Sequence, residues 1–97
     1  MLTHIVVWKY KPEITEEQRE DHRRQLGFLK GSIAEIVTFH VGADTLHLPR
    51  SYDTGLVATF RDQEALDAYT NHPQHLKVAA LGKEIAQHVV SVDFIEE

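Results

Sequence analysis

The chain has 97 residues, 15 acidic against 10 basic side chains, a formal net charge of −5 at pH 7 and no cysteine. This length fits one domain, so the sequence predicts a single domain over residues 1–97. The negative charge opposes contact with phosphate backbones, and the lack of cysteine excludes disulfides and thiolate chemistry. The apolar runs are far shorter than the roughly 20 residues of a membrane span. We therefore expect a cytoplasmic protein with no nucleic-acid or membrane partner.

In chain order, the sequence predicts strand, helix, strand, strand, helix, strand, with the second helix interrupted. The strands have β-branched and aromatic composition, and the helices show apolar side chains at helical spacing. The strands are predicted over residues 2–11, 36–43, 52–61 and 89–95, and the helices over residues 15–30, 62–69 and 73–87. This order is typical of a ferredoxin-like α+β fold, βαββαβ, in which helices cover one face of a four-stranded antiparallel sheet.

The predicted helix ends rest on short local signals. Thr15 and Gln18 form a capping-box pattern at the start of the first helix, and Gly31 is expected to close that helix in the left-handed conformation. Asp62 is expected to cap the second helix. Pro73 occupies a favoured first position for the third. Leu26 and Leu29, with His22 beside them, give the first helix a narrow buried stripe.

Both faces of the first strand are apolar near its middle. One face carries His4, Val6 and Trp8, and the other carries Ile5 and Val7. A sheet that is covered by helices on one side and apolar on the other needs a second layer, which a symmetric homodimer supplies. We expect a homodimer through the sheet faces, forming a dimeric α+β barrel; a monomer with scattered exposed apolar residues is the alternative.

Four segments along nearly the whole chain resemble the stress-responsive A/B barrel (Dabb) family. The segment Tyr-x-x-His-Pro-x-His is the most specific of them. They are residues 4–7 (HIVV), 29–31 (LKG), 69–75 (YTNHPQH) and 90–94 (VSVDF). The resemblance implies a ferredoxin-like fold and a homodimeric barrel. The family includes polyketide cyclases of the olivetolic acid cyclase type, boiling-stable proteins and many members of unassigned activity.

His4, Tyr69 and His75 are the candidate catalytic residues. Tyr69 ends one predicted helix and His75 lies just after the next one begins, so both can face the sheet near one junction. A histidine titrates near neutral pH, and a tyrosine hydroxyl can donate to a developing enolate oxygen. These groups suit proton transfer in a pocket between sheet and helices, with no cofactor required.

The resemblance adds roles to these positions. It implies that His4, Tyr69 and His75 match residues that promote aldol cyclisation in the cyclase member. Leu26 stands where that enzyme has a functional tyrosine, and Thr54 stands where it has a pocket histidine. Together with Trp8, these two are the candidate substrate-binding residues.

Structural interpretations stay open beside the catalytic one. His4 can be a strand histidine that bonds a neighbouring carboxylate or carbonyl, and Tyr69 can fill the core. His72 is expected to start a helix. His72 and His75 could together contribute two ligands to a divalent metal, but two ligands do not make a site, and no metal is predicted.

Three functional hypotheses follow from the sequence. The first is a cofactor-independent acid/base catalyst, polyketide cyclase-like, acting on a small apolar molecule, with His75 as the base. The second is a non-enzymatic stress-response or structural dimer or larger oligomer. The third is a monooxygenase-like dimeric barrel, for which Trp8 lies on a suitable strand.

Overall fold

The computed structural model describes residues 1–96. It contains four strands and three helices in the predicted order. The strands are β1 (Leu2–Tyr10), β2 (Ile36–Ala43), β3 (Thr54–Phe60) and β4 (Ala86–Ile95), and the helices are α1 (Glu16–Ser32), α2 (Gln63–Thr70) and α3 (Pro73–Ile85). None of these helices is long and apolar enough to cross a membrane.

The four strands form one antiparallel sheet in the order β2-β3-β1-β4. β1 lies between β3 and β4, so its side chains are flanked on both sides. In this register His4 lies opposite Asp93, Val6 opposite Ser91 and Trp8 opposite Val89. Residues opposite each other share a face of the sheet. The fold is therefore the predicted α+β, ferredoxin-like arrangement.

The helix starts follow the predicted local chemistry. Thr15 and Gln18 form the capping box of α1, with the side chain of each bonded to the backbone amide of the other. Asp62 accepts a hydrogen bond from the Ala65 amide at the start of α2. Pro73 is the first residue of α3 and His72 is its N-cap. Side chains that satisfy free amides thus fix three helix starts.

Two predicted helix ends are wrong. Gly31 does not take the left-handed conformation, and α1 continues to Ser32 with an extended Ile33 as its C-cap. α3 ends at Ile85, and β4 begins at Ala86 rather than at residue 89. Ile33 and Ala86 are buried, so burial of apolar side chains decides where these helices end.

One face of the sheet packs on the helices and forms the core. Phe60, Leu56 and Tyr69 are almost completely buried there, and Leu26 and Leu29 supply the stripe predicted for α1. Burial of aromatic and branched side chains of this size stabilises the fold by about 1.5 to 3 kcal/mol each. The core therefore joins all three helices to one face of the sheet.

The opposite face of the sheet has no helix against it. Val57, Val90, Val92 and Phe94 point to this side and keep 42 to 53% of their surface exposed. We call this surface the open face. Its apolar character matches the prediction from sequence that neither face of the sheet is polar.

Candidate functional site

A cleft of about 500 Å³ lies between α3 and the β1–β4 side of the sheet, on the helix-covered face. This volume falls in the range of small-molecule sites. Most of its wall is apolar, and the polar side chains are few. The lining residues are His4, Val6, Trp8, Leu26, Leu56, Tyr69, His75, Leu76, Val78, Ala79, Ala80, Lys83, Val89 and Ser91.

His75 stands in the first turn of α3, because Pro73 begins that helix two residues earlier. Its Nδ1 lies 2.9 Å from the carbonyl oxygen of Thr70. A carbonyl oxygen only accepts, so Nδ1 carries the proton and Nε2 keeps its lone pair. Burial, with smaller contributions from His4 and His72, lowers the pKa of His75 below the ordinary value. The side chain is therefore a neutral imidazole with a basic nitrogen at neutral pH.

His4 lies on β1, between β3 and β4, and its Nδ1 forms a hydrogen bond with the Asp93 carboxylate across the β1–β4 ladder. The bond joins Nδ1 of the imidazole to the carboxylate, so Nδ1 is again the protonated nitrogen. This contact with a neighbouring carboxylate is the structural alternative expected for His4. The same contact fixes the orientation of the ring, as an orienting carboxylate does for a catalytic histidine.

Tyr69 joins the two histidines. Its ring centroid lies 4.4 Å from that of His75 and 6.0 Å from that of His4, and its ring also contacts Phe60 in the core. Within residues 1–96, no acceptor or donor is bonded to its hydroxyl. Burial raises the pKa of this phenol, so it stays protonated and can donate a hydrogen bond.

One wall of the cleft is the face of α3 that bears Leu76, Ala79, Ala80 and Lys83. The sequence places these residues on one side of the helix, and the structure leaves all four half-exposed or exposed. The buried residues of α3 are instead Val78, Gly82 and Ile85. The cleft exists because the small alanine side chains on α3 do not fill the space above β1 and β4.

The structure brings five of the six predicted site residues to the cleft: His4, Trp8, Leu26, Tyr69 and His75. Thr54, the sixth, lies outside the cleft lining. Its hydroxyl is buried and bonded inside the chain.

Thr54 belongs to a second polar cluster, formed with Tyr10, His22 and Arg23. The Tyr10 hydroxyl lies 2.7 Å from His22 Nδ1 and 2.8 Å from Thr54 Oγ1, which also accepts from Arg23 at 3.1 Å. His22 is fully buried, and burial lowers its pKa to about 4, with a further lowering by the charge of Arg23. Its Nε2 has no partner within the described chain. This cluster ties α1 to β1 and β3.

Several residues of the site were not predicted. Asp93 lies in the segment 90–94 that resembles the family, but it was not assigned to the site, because its contact with His4 depends on the β1–β4 register. Ser91, Lys83 and the alanines of α3 carry no motif. No group of three or more side chains suitable for a metal comes together within residues 1–96, so His72 and His75 have no third ligand there.

The sequence profile of the stress-responsive A/B barrel domain matches residues 2–96. The chain belongs to this family. The match spans nearly the whole described chain, so the cleft lies within a stress-responsive A/B barrel domain. A search of curated proteins finds no relative of this chain.

Solved structures share the fold of this A/B barrel chain. A dimeric ferredoxin-like protein of unknown function from Thermobifida fusca is 26% identical, with a TM-score of 0.89 over 98% of this chain and 90% of that protein. A hydroxynitrile lyase from Passiflora edulis is 20% identical, with a TM-score of 0.87 over 99% and 93%. A Dabb family protein from Mesorhizobium loti is 18% identical, with a TM-score of 0.83 over 99% and 96%.

Proposed function

We propose that this A/B barrel protein is a cofactor-independent acid/base catalyst that moves a proton on a small apolar carbonyl compound bound in the cleft. The observation that carries the proposal is the grouping of His75, Tyr69 and His4 at one end of an otherwise apolar cleft. Both imidazoles are bonded through Nδ1, which leaves each Nε2 available. Proton donors and a neutral base beside a small-molecule cavity are the parts that this chemistry needs.

His75 acts as the base in this proposal. Its Nε2 removes a proton from the carbon next to the carbonyl group. The electron pair of that C–H bond forms the C=C bond of the enolate, and the π pair of the C=O bond moves onto the oxygen. The Thr70 carbonyl holds the proton on Nδ1 and so keeps Nε2 basic. The lowered pKa of His75 keeps the ring deprotonated and ready at neutral pH.

Tyr69 stabilises the enolate oxygen, and His4 is an orienting group beside it. Burial keeps the Tyr69 hydroxyl protonated, so it can donate a hydrogen bond to the developing negative charge. His4 lies next to Tyr69, and its bond to Asp93 fixes the ring with Nε2 free to contact the bound molecule. The enolate then recovers the proton from His75, or attacks a second carbonyl of the same molecule as the resemblance to the cyclases suggests.

The fold relationship to a hydroxynitrile lyase supports chemistry of the same kind. Cleavage of a hydroxynitrile requires a base to remove the hydroxyl proton while the bond to the nitrile carbon breaks, giving a carbonyl compound and hydrogen cyanide. An imidazole base and a nearby proton donor fit that reaction as well as enolisation. At 20% identity this relationship concerns the fold, so the hydroxynitrile is one probe among several.

We further propose that the protein acts as a homodimer joined through the open face. The Thermobifida fusca relative is described as dimeric, and the open face of this chain exposes four large apolar side chains. Burying this surface against a second copy of the chain would stabilise a dimer by about 25 cal/mol per Å² of apolar area removed from water. The cleft lies on the other face of the sheet and stays accessible in that dimer.

The proposed activity is tested by hydrogen–deuterium exchange next to a ketone. In D₂O the wild-type protein is expected to speed the exchange of the protons that flank the carbonyl of 2-nonanone, followed by NMR. His75→Gln should lower the rate by about 10² to 10⁴-fold, because it removes the base and keeps a polar side chain of similar size. Cleavage of an aromatic hydroxynitrile is measured in parallel.

The control variant is His47→Gln, which changes an exposed histidine in the loop between β2 and β3, outside the cleft lining and the open face, and should leave the rate at the wild-type level. Circular dichroism checks that both variants are folded. If the wild-type protein accelerates neither reaction, or if His75→Gln keeps the wild-type rate, the catalytic proposal is overturned and a structural role replaces it.

A further inference from the structure

The cleft is elongated, and β1 and α3 both run along it. Trp8 follows His4 by four residues in β1, which corresponds to about 13 Å at the rise of a strand. Lys83 follows His75 by eight residues in α3, which corresponds to about 12 Å at the rise of a helix. All four residues line the cleft.

The two elements run in the same direction along the cleft. His4 and His75 both lie around Tyr69 at one end, with ring centroids 6.0 and 4.4 Å from it. Trp8 lies at the other end against α3, where a Cβ built on Gly82 would come 3.0 Å from the indole Nε1. Gly82 adjoins Lys83 in sequence. Trp8 and Lys83 therefore mark the end of the cleft opposite the histidines.

The polar groups of Trp8 and Lys83, at the end of the cleft opposite the histidines, are both hydrogen-bond donors. The indole Nε1 of Trp8 lies against Gly82 on the buried face of α3, where His22 Nε2 also approaches, so Trp8 closes this end of the cleft. Lys83 is on the exposed side of the helix, and no carboxylate within residues 1–96 lies within 4.0 Å of its ammonium group. Apart from the histidines and Tyr69, Lys83 is the one ionisable side chain on the described cleft wall.

The stretch between the two ends is apolar. Val6, Leu26, Val78, Ala79 and Val89 line it, with Ser91 as its one hydroxyl. A ligand that fills the cleft therefore meets proton-transfer groups at one end, hydrocarbon in the middle and a cationic donor at the other end. The chain as a whole has a net charge of −5, so this local positive charge is not a general property of its surface.

We propose that the substrate is an elongated apolar carboxylic acid, with its reacting carbonyl group at His75 and its carboxylate at Lys83, where Trp8 closes the cleft. A carboxylate, with a single charge, matches one ammonium group, whereas a phosphate, with more oxygens and more charge, would need more donors than Lys83 supplies. The proposal rests on the function proposed above, because it takes His75 as the reacting end. Lys83 is a substrate-binding and specificity-determining residue in this account.

The experiment compares two ketones that differ by the acid. One is 8-oxononanoate, whose ketone and carboxylate are separated by a six-methylene chain, and the other is 2-nonanone, which has the same ketone and no carboxylate. In the exchange assay, the acid is expected to show a KM about tenfold lower than the neutral ketone, as one charge-assisted hydrogen bond allows. The kcat values should be similar, because the carboxylate binds far from the reacting carbon. The methyl ester of the acid should behave as the neutral ketone does.

Variants of α3 assign the effect to one side chain. Lys83→Ala is expected to remove the difference in KM between the acid and the ketone, and Lys83→Arg should keep it. Lys77→Ala is the matched control, because Lys77 lies on the same helix, is exposed and does not line the cleft. This control should leave both KM values unchanged.

The outcomes separate this proposal from the catalytic one. If the wild-type protein exchanges both ketones with equal KM, the carboxylate assignment is overturned and the catalytic proposal stands. If neither ketone is exchanged, calorimetry measures the affinity of the protein for 8-oxononanoate. An affinity that is lost in Lys83→Ala and kept in Lys77→Ala supports the assignment of Lys83 as the carboxylate-binding residue. Binding that is absent or unchanged in Lys83→Ala overturns it.

Discussion

At the scale of single residues, His22 connects the stability of the fold to pH. It is fully buried, and its ring meets Trp8 and Tyr10 edge-on at centroid distances of 5.1 and 5.6 Å. Burial, together with the charge of Arg23, lowers its pKa from 6.5 to about 4, while the carboxylate of Asp21 acts in the opposite direction. The neutral ring is therefore part of the native packing.

The lowered pKa predicts a loss of stability in acid. The unfolded chain binds the His22 proton more readily than the folded chain does, so the contribution is present above pH 6.5 and is lost as the pH falls towards about 4. The free energy of unfolding should fall by on the order of 3 kcal/mol over this interval through His22. Urea unfolding at several pH values measures it.

The matched variants for this prediction are His22→Gln and His88→Gln. The glutamine at position 22 can keep a bond to Tyr10 but has no proton to gain, so its unfolding free energy should depend less steeply on pH. His88 is exposed, and its variant should follow the wild-type curve. Equal slopes for His22→Gln and the wild type would contradict the assignment.

The types of single residues also explain how much of the site could be predicted from the sequence. The aromatic and imidazole side chains at positions 4, 69 and 75 stand out because their chemistry is specific and their local motif is recognisable. Thr54 was predicted from the same resemblance but lies in the buried cluster with Tyr10. The residue types of Asp93 and Lys83 do not by themselves mark a functional site. Only the register of β4 and the packing of α3 give them a place beside the cleft.

At the scale of elements, α3 has two faces with different roles. Gly82 on its buried face lets the helix approach β1 and α1, because a Cβ there would lie 3.0 Å from both Trp8 Nε1 and His22 Nε2. The other face carries small side chains and forms the cleft wall. The sequence shows an apolar helix here, but the spacing alone did not indicate which face is buried.

Gly82→Ala is expected to destabilise the protein by about 1 to 2 kcal/mol. Alanine normally favours a helix by about 1 kcal/mol over glycine, but here its methyl group would push apart two buried rings at a cost of about 1 to 3 kcal/mol. Gly27→Ala in α1 is the control, because a Cβ there meets nothing within 4 Å and should stabilise the fold. Thermal unfolding compares the two, and stabilisation by both would contradict the packing argument.

The helix starts and helix ends differ in how well the sequence predicts them. Thr15, Asp62 and Pro73 mark helix starts through hydrogen bonds and backbone geometry that involve only near neighbours. The ends of α1 and α3 are set by Ile33 and Ala86, which become buried only when the helices meet the sheet. Local signals are readable from sequence, whereas ends fixed by tertiary packing are not.

At the scale of the whole molecule, the two faces of one sheet have separate roles. The helix-covered face holds the core and the cleft, and the open face exposes Val57, Val90, Val92 and Phe94. The alternation of β1 predicted this division, because side chains at every second residue share a face. The sequence therefore predicted the architecture and a partner for the open face. The position of the cleft could not be predicted, because it depends on the space that the small side chains of α3 leave unfilled.

If the proposed dimer forms through the open face, Val92→Glu is expected to convert it into a monomer. In a symmetric dimer it would place two carboxylates in an apolar interface at once, at a cost that exceeds the contribution of a single side chain. Sedimentation equilibrium should give twice 11.1 kDa for the wild type and 11.1 kDa for the variant. Phe28→Glu, on the exposed surface of α1, should remain dimeric. A monomeric wild-type protein at micromolar concentration would contradict the dimer.

The most direct test of the account is a crystal structure of the protein with 8-oxononanoate. We expect the ligand in the cleft between α3 and the β1–β4 side of the sheet, with its ketone oxygen about 3 Å from the Tyr69 hydroxyl and the adjoining carbon facing Nε2 of His75. A cleft that stays empty at saturating ligand, or a ligand whose ketone lies away from both side chains, would contradict the claim that this cleft is the site of proton transfer.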